Sequence, residues 1–229
     1  TFPLWYVQEI EQHRTDVRVI CTSLFATDWY VDQMKRKAYE SEPIPSQLTH
    51  ELYRYGNRDV IYLQKITENR WDISDFMSWI GSDRPETKLR YYLEKNGADL
   101  SEYPESTLEL VYYPTDKIRV PVNKENVLKS GLVKEKDSAM IVDYIDIDLP
   151  GALAKNRIMM LDILANNDWE RPIYFSGGSF DNAEYLWMKE YLQLDGMAYK
   201  LVPIRTTNRS PFEMGRIDSD LMYDIVMDW

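Results

Sequence analysis

Two aspartates one residue apart, in the stretch DYIDIDLPG, are the residues of this 229-residue chain whose spacing most directly suggests chemistry. Asp146 and Asp148 share one side of an extended segment, and such a pair can hold a divalent ion against the diphosphate of a nucleotide sugar. Ile145, Ile147 and Leu149 take the opposite side, so the plainer reading is the solvated face of a half-buried strand. The chain has two histidines, His13 and His50, and a single cysteine, Cys21, so a metal centre would have to be built almost wholly from carboxylates. No cofactor is expected.

A second stretch, YFSGGSFDNAEYL, reads as strand, glycine-rich turn and helix start, the arrangement in which backbone N–H groups receive an anion. Ser176, Gly177, Gly178 and Ser179 are the candidates, although the Gly-Lys-Ser/Thr ending of a nucleotide-binding loop is absent. A tight turn between two elements accounts for the same residues. The third candidate is aromatic. Trp5 falls among Gln8, Glu9 and Gln12, on the side of the first helix away from Phe2, Tyr6, Val7 and Ile10, and the segment DWYVDQ sets Trp29 and Tyr30 beside Asp28, Asp32 and Gln33. Rings flanked by carboxylates and amides suit a sugar, which stacks its C–H face and gives its hydroxyls to the polar neighbours. Trp5, Asp28, Trp29, Tyr30 and Gln33 are therefore candidates for contact with a glycan or partner, with helix packing as the alternative. No catalytic residue is assigned, because the chain has no G-x-S-x-G elbow and no Cys near a His.

The elements that would position these residues alternate along the chain. TFPLWYVQEI opens as a helix with Pro3 in its first turn, and DVRVIC follows as a strand. TDWYVDQMKRKAY, SDFMSWIGS, PETKLRYYLEKNG, NKENVLKSG and ALAKNRIMMLDILANN read as helices; NRDVIYL, KIRVPV, MIVDYIDIDL, RPIYFS and AYKLVPI read as strands. The alternation predicts an α/β layer structure, a mostly parallel sheet with helices on both faces, in one domain over residues 1–229. Such a sheet should begin with a strand, and here a helix comes first. The expectation is a piece of a longer chain, truncated at both ends, with its first strand upstream of Thr1.

Composition narrows the function classes. The formal charge of −11 opposes a phosphate backbone, so no nucleic-acid partner is expected. No segment reaches the roughly 18 apolar residues of a membrane span, and no signal sequence is present, so the piece itself is expected to be soluble. The 17 Tyr and 7 Trp are the unusual entries in an otherwise ordinary globular composition. They serve cores and adhesive surfaces alike.

Three blocks, TFPLWYVQEIEQHRTDVRVICTSLFATDWYVDQMKRKAYES, NRIMMLDILANNDWERPIYFSGG and YLQLDGMAYKLVPI, resemble the soluble part of bacterial protein O-mannosyltransferase-like membrane proteins of the GT-C type. The resemblance implies membrane helices N-terminal to this region, a strand ending in an acidic loop just before Thr1, and a periplasmic location at the inner membrane. It also implies that the catalytic carboxylate lies among those membrane helices, on no residue of this chain. The function expected is an accessory or acceptor-binding domain whose partners are its own membrane region and a glycan or acceptor polypeptide. Two alternatives stand beside it: an independent GT-A-like transferase using Asp146 and Asp148, and a structural protein-interaction domain.

Overall fold

The computed structural model describes residues 2–176, 186–207 and 215–228. In chain order the helices are α1 (Phe2–Glu9), α2 (Asp28–Met34), α3 (His50–Tyr53), α4 (Ile73–Ile80), α5 (Leu89–Lys95), α6 (Glu105–Leu108), α7 (Lys124–Lys129), α8 (Lys155–Asn166) and α9 (Ser219–Met227). The strands are β1 (Val60–Leu63), β2 (Trp71–Asp72), β3 (Tyr112–Tyr113), β4 (Lys117–Pro121), β5 (Tyr144–Asp148), β6 (Ala152–Ala154), β7 (Tyr174–Ser176), β8 (Leu192–Asp195), β9 (Ala198–Leu201) and β10 (Arg216–Ile217). They form three small mixed sheets, not the single layered parallel sheet that the alternation predicts. The physical reason lies in the strands. None exceeds five residues, and most ladders are antiparallel, whereas a parallel sheet needs a covering crossover between each pair. DVRVIC forms no strand at all.

The chain divides into two compact units, one of residues 1–116 and 149–166, the other of residues 117–148 and 167–229. In the first unit β1 lies between β3, parallel to it, and β6, antiparallel to it. Ile61 of β1 stands opposite Leu153 of β6, and both are buried. Amphipathic α4 adds Ile73, Phe76, Met77 and Ile80 to this core, with Phe76 edge-on to Tyr113 at 5.9 Å between centroids. The same unit holds α8, whose Ile158, Met159 and Leu161 are buried. Its polar side is buried too. Lys155 and Asp162 are 2% and 0% exposed, and each has partners: Lys155 reaches Asp59 and the Arg54 carbonyl, and Asp162 accepts from four groups described below.

Arg58 shows how this unit satisfies a buried charge. Its side chain is 2% exposed, and its five N–H donors find five acceptors: the carbonyls of Ile80, Leu52 and Ser82, Asn57 Oδ1 and Asp83 Oδ1. The end of α4 is thereby closed by a side chain from another segment.

Within the second unit, β4 and β5 form an antiparallel ladder with Arg119 opposite Asp146 and Lys117 opposite Asp148. Asn123 caps α7 by accepting from the Asn126 amide at 3.2 Å, as its position at the head of NKENVLKSG predicts. The other sheet runs β10-β8-β9-β7. β8 and β9 join through Gly196, whose φ of 63° is the left-handed value a two-residue hairpin requires.

Candidate functional site

The sequence candidates meet different fates. Tyr30 is 2% exposed; its hydroxyl accepts from the Cys21 amide at 2.9 Å and its ring meets Phe25 edge-on, so it belongs to the core. Trp5 is half-buried, donating to the Val19 carbonyl at 3.4 Å with its ring 6.5 Å from that of Tyr30. The face of α1 predicted to point inward, with Phe2, Tyr6 and Ile10, is 77%, 57% and 64% exposed. The helix is rotated from the predicted orientation because apolar residues lie all round it, which leaves the periodicity little contrast. Trp29 is exposed at 56%, and Gln33 also faces outward from α2.

Around Trp29 the structure assembles residues far apart in sequence. Asp28, first residue of α2, accepts the Trp29 amide on Oδ1 at 2.7 Å and the Tyr55 amide on Oδ2 at 3.1 Å. One carboxylate thus fixes the backbones of two exposed aromatic residues, Trp29 and the 87%-exposed Tyr55. Those amides, Tyr55 foremost, hold the Asp28 carboxyl below the ordinary carboxylate range. One turn along α2, Asp32 accepts from the Tyr53 hydroxyl at 2.7 Å and pairs with His50 Nδ1 at 3.0 Å. Burial alone would raise Asp32, but the bonds from Tyr53 and His50 outweigh it and the net direction is down. Burial and the Asp32 charge push the Tyr53 phenol upward.

What holds α3 in place for this is Asp162 of α8. Its carboxylate accepts from the Ser46 hydroxyl, the Gln47 amide at 3.2 Å, the Leu48 amide at 3.4 Å and Asn166 Nδ2 at 3.0 Å, fixing the loop that runs into His50. Lys35, just after α2, adds bonds to Ser46 Oγ and the Leu48 carbonyl. Sequence reasoning had Asp28 and Trp29 but not Tyr55, His50 or Tyr53, and the only local signal for them was the run HELYRY.

The other candidates are placed apart from this face. Asp146 and Asp148 each stand opposite a cation of β4, with Arg119 Nε 3.5 Å from Asp146 Oδ1. No group of three or more potential metal ligands occurs among the described residues. Ser176 ends the edge strand β7, exposed, while Gly177, Gly178 and Ser179 lie outside the described residues.

A mixed α/β domain with two exposed aromatic residues, Trp29 and Tyr55, whose amides share one carboxylate is the class that fold and site define. The chain belongs to the TMEM260-associated domain 2 family, which it matches over residues 1–221. No curated protein and no solved structure matches it. Among the described residues no helix is long and apolar enough to cross a membrane.

Proposed function

We propose that the chain is a non-catalytic accessory domain of a GT-C-like membrane glycosyltransferase related to protein O-mannosyltransferases, and that it binds the acceptor or its glycan on the extracytoplasmic side. Family membership supports the link to a TMEM260-type parent, and the resemblance of the three sequence blocks supports the glycosyltransferase class. The observation that carries the binding role is the doubly bonded Asp28. It fixes the main chain beside two outward aromatic rings, while Asp32 and His50 supply polar groups nearby. Rings with a fixed main chain lose less freedom on binding than rings on a loose loop. All 229 residues act together in this reading, with the first unit presenting the face.

The test is a titration of the protein with a mannose-bearing glycopeptide and with the same peptide unglycosylated, followed by tryptophan fluorescence and amide shifts. Glycan-dependent changes at Trp29 and Tyr55, lost in Trp29→Ala and weakened about tenfold in Tyr55→Ala, are the expected result. Equal response to both peptides would favour the structural interaction domain, for which the exposed Phe2 and Tyr6 of α1 and Ile10 just after it already speak.

A further inference from the structure

The second unit contains a cavity of about 260 Å³ between the segment after α7 and the β8, β9 and β10 strands, closed at one end by the start of α9. Its charged lining is Lys134, Lys136, Lys200 and Arg216 against Asp137, Asp218 and Asp220. Asp195, just outside the lining, pairs with Lys200, so the four cations meet four carboxylates. Arg216 Nη2 donates to Asp137 Oδ2 at 2.8 Å, Lys134 bonds Asp218 at 2.7 Å and Asp220 at 3.2 Å, and Lys136 bonds Asp220 at 2.5 Å. Lys200 pairs with Asp195 at 2.7 Å, both of them largely buried.

One donor is left over. Arg216 Nη1 is buried and has no hydrogen-bond partner among the described residues. The contrast with Arg58, whose five donors all find acceptors, makes this more than a crowded side chain. A buried N–H of a guanidinium without an acceptor is costly, and it is resolved by an ordered water or by a ligand that supplies the acceptor. Asp137 is taken up by Arg216 Nη2 and the other two carboxylates by lysines, and Asp218 also accepts the Leu221 amide at 3.2 Å as the cap of α9. What the cavity lacks is therefore an acceptor for Arg216 Nη1, and an anionic oxygen is the strongest one a guanidinium takes. The first turn of α9 adds the positive end of a nine-residue helix to the same wall.

We infer that this cavity is a binding site for a small oxyanion, a phosphate or carboxylate group, held by Arg216 with Lys134, Lys136 and Lys200. The guanidinium offers its unused edge to one oxygen, and the lysines exchange part of their bonding to Asp220 and Asp218 for the incoming charge. The cavity's size admits one such group with a few attached atoms, short of the roughly 300 Å³ at which pockets for larger ligands begin. This inference is independent of the aromatic face, since it draws on residues of the other unit.

Amide shifts of the whole chain, titrated at constant ionic strength with inorganic phosphate in one arm and acetate in the other, test it. Saturable shifts confined to residues 131–137, 200 and 216–220 are expected, and the arm that saturates at lower concentration names the anion. Arg216→Met combined with Asp137→Asn removes the guanidinium without stranding its carboxylate, and should weaken binding about tenfold or more. Lys136→Gln, at a well exposed side chain, should weaken it about threefold with the fold intact. No saturable shift in either arm overturns the site, as does binding that Lys136→Gln leaves unchanged, or shifts scattered over surface lysines elsewhere.

Discussion

Asp162 is 0% exposed and still carries the loop that sets His50 and Tyr53. Burial raises its carboxyl above the ordinary 3.8, more than its hydrogen bonds lower it. The folded state therefore holds this proton more tightly than the unfolded chain, and the stability so gained is present below about pH 3.8 and lost as pH rises through the folded-state value. Asp162→Asn has no such slope. Urea unfolding of both proteins between acid and neutral pH should show the wild type's advantage over the variant shrinking as pH rises; an advantage that grows instead would mean the hydrogen bonds dominate. Asp162→Ala, which leaves the Leu48 amide and the Ser46 hydroxyl without their acceptor, should cost about 2–3 kcal/mol at acid pH and less as pH rises, with the same slope as the Asn comparison. The role of Asp162 was hidden in the sequence: it reads as part of a polar stripe with Lys155 and Asn166, and a stripe does not say whether it faces water or a buried loop.

At the scale of elements, local signals survived and pairing did not. Asn123, Gly131 and Gly97 end or begin helices where their types demand, because capping and left-handed φ depend on a few neighbouring atoms. Strand partners depend on contacts far along the chain, and segments of two to five residues carry too little pattern to choose between parallel and antiparallel neighbours. Tyr55 was out of reach for the same reason, its amide being tied to Asp28 across 27 positions. A pair of glycines separates local from tertiary demand. Gly215 and Gly131 both have positive φ, 61° and 69°, but a Cβ on Gly215 would lie 1.5 Å from the Leu192 carbonyl oxygen, while nothing is within 4 Å of one on Gly131. Gly131→Ala should cost about 1–2 kcal/mol, the conformational term alone. Gly215→Ala should cost about 3 kcal/mol or more and break the pairing of Arg216 with Gln193 and Ile217 with Leu194, visible as faster hydrogen exchange there. Equal costs at the two sites would show that β10 is free to move away.

For the whole molecule, the chain's path matters more than its charge. Residues 117–148 leave and re-enter the first unit at neighbouring points, since the Leu149 amide donates to the Asp116 carbonyl at 2.6 Å. Replacing 117–148 by a short Gly/Ser link in a chain ending at residue 166 should therefore keep the first unit folded, with dispersed amide signals. Residues 1–116 alone should not fold, lacking α8 with its buried Ile158, Met159 and Leu161 and the Asp162 that bonds Ser46 across 116 positions. A dispersed spectrum from 1–116 would count against that division.

The meeting of Asp116 and Leu149 also bears on how the protein is made. As the chain leaves the ribosome, β1, α4 and β3 are made before α8, which packs on α4, and before β6, which pairs with β1; both come only after residues 117–148 have been added. At roughly 5–20 residues per second, that interval is on the order of seconds, long against the time in which an exposed apolar surface collapses. Ile61, Phe76, Met77 and Tyr113 spend it without their native cover, the period in which a nascent chain is most open to chaperones and to misassociation. The second unit begins with the inserted residues, so both strands of its β4–β5 ladder, with α7 between them, are made while the first is still waiting for α8. Translation order thus lets a part of the later unit form before the earlier one closes.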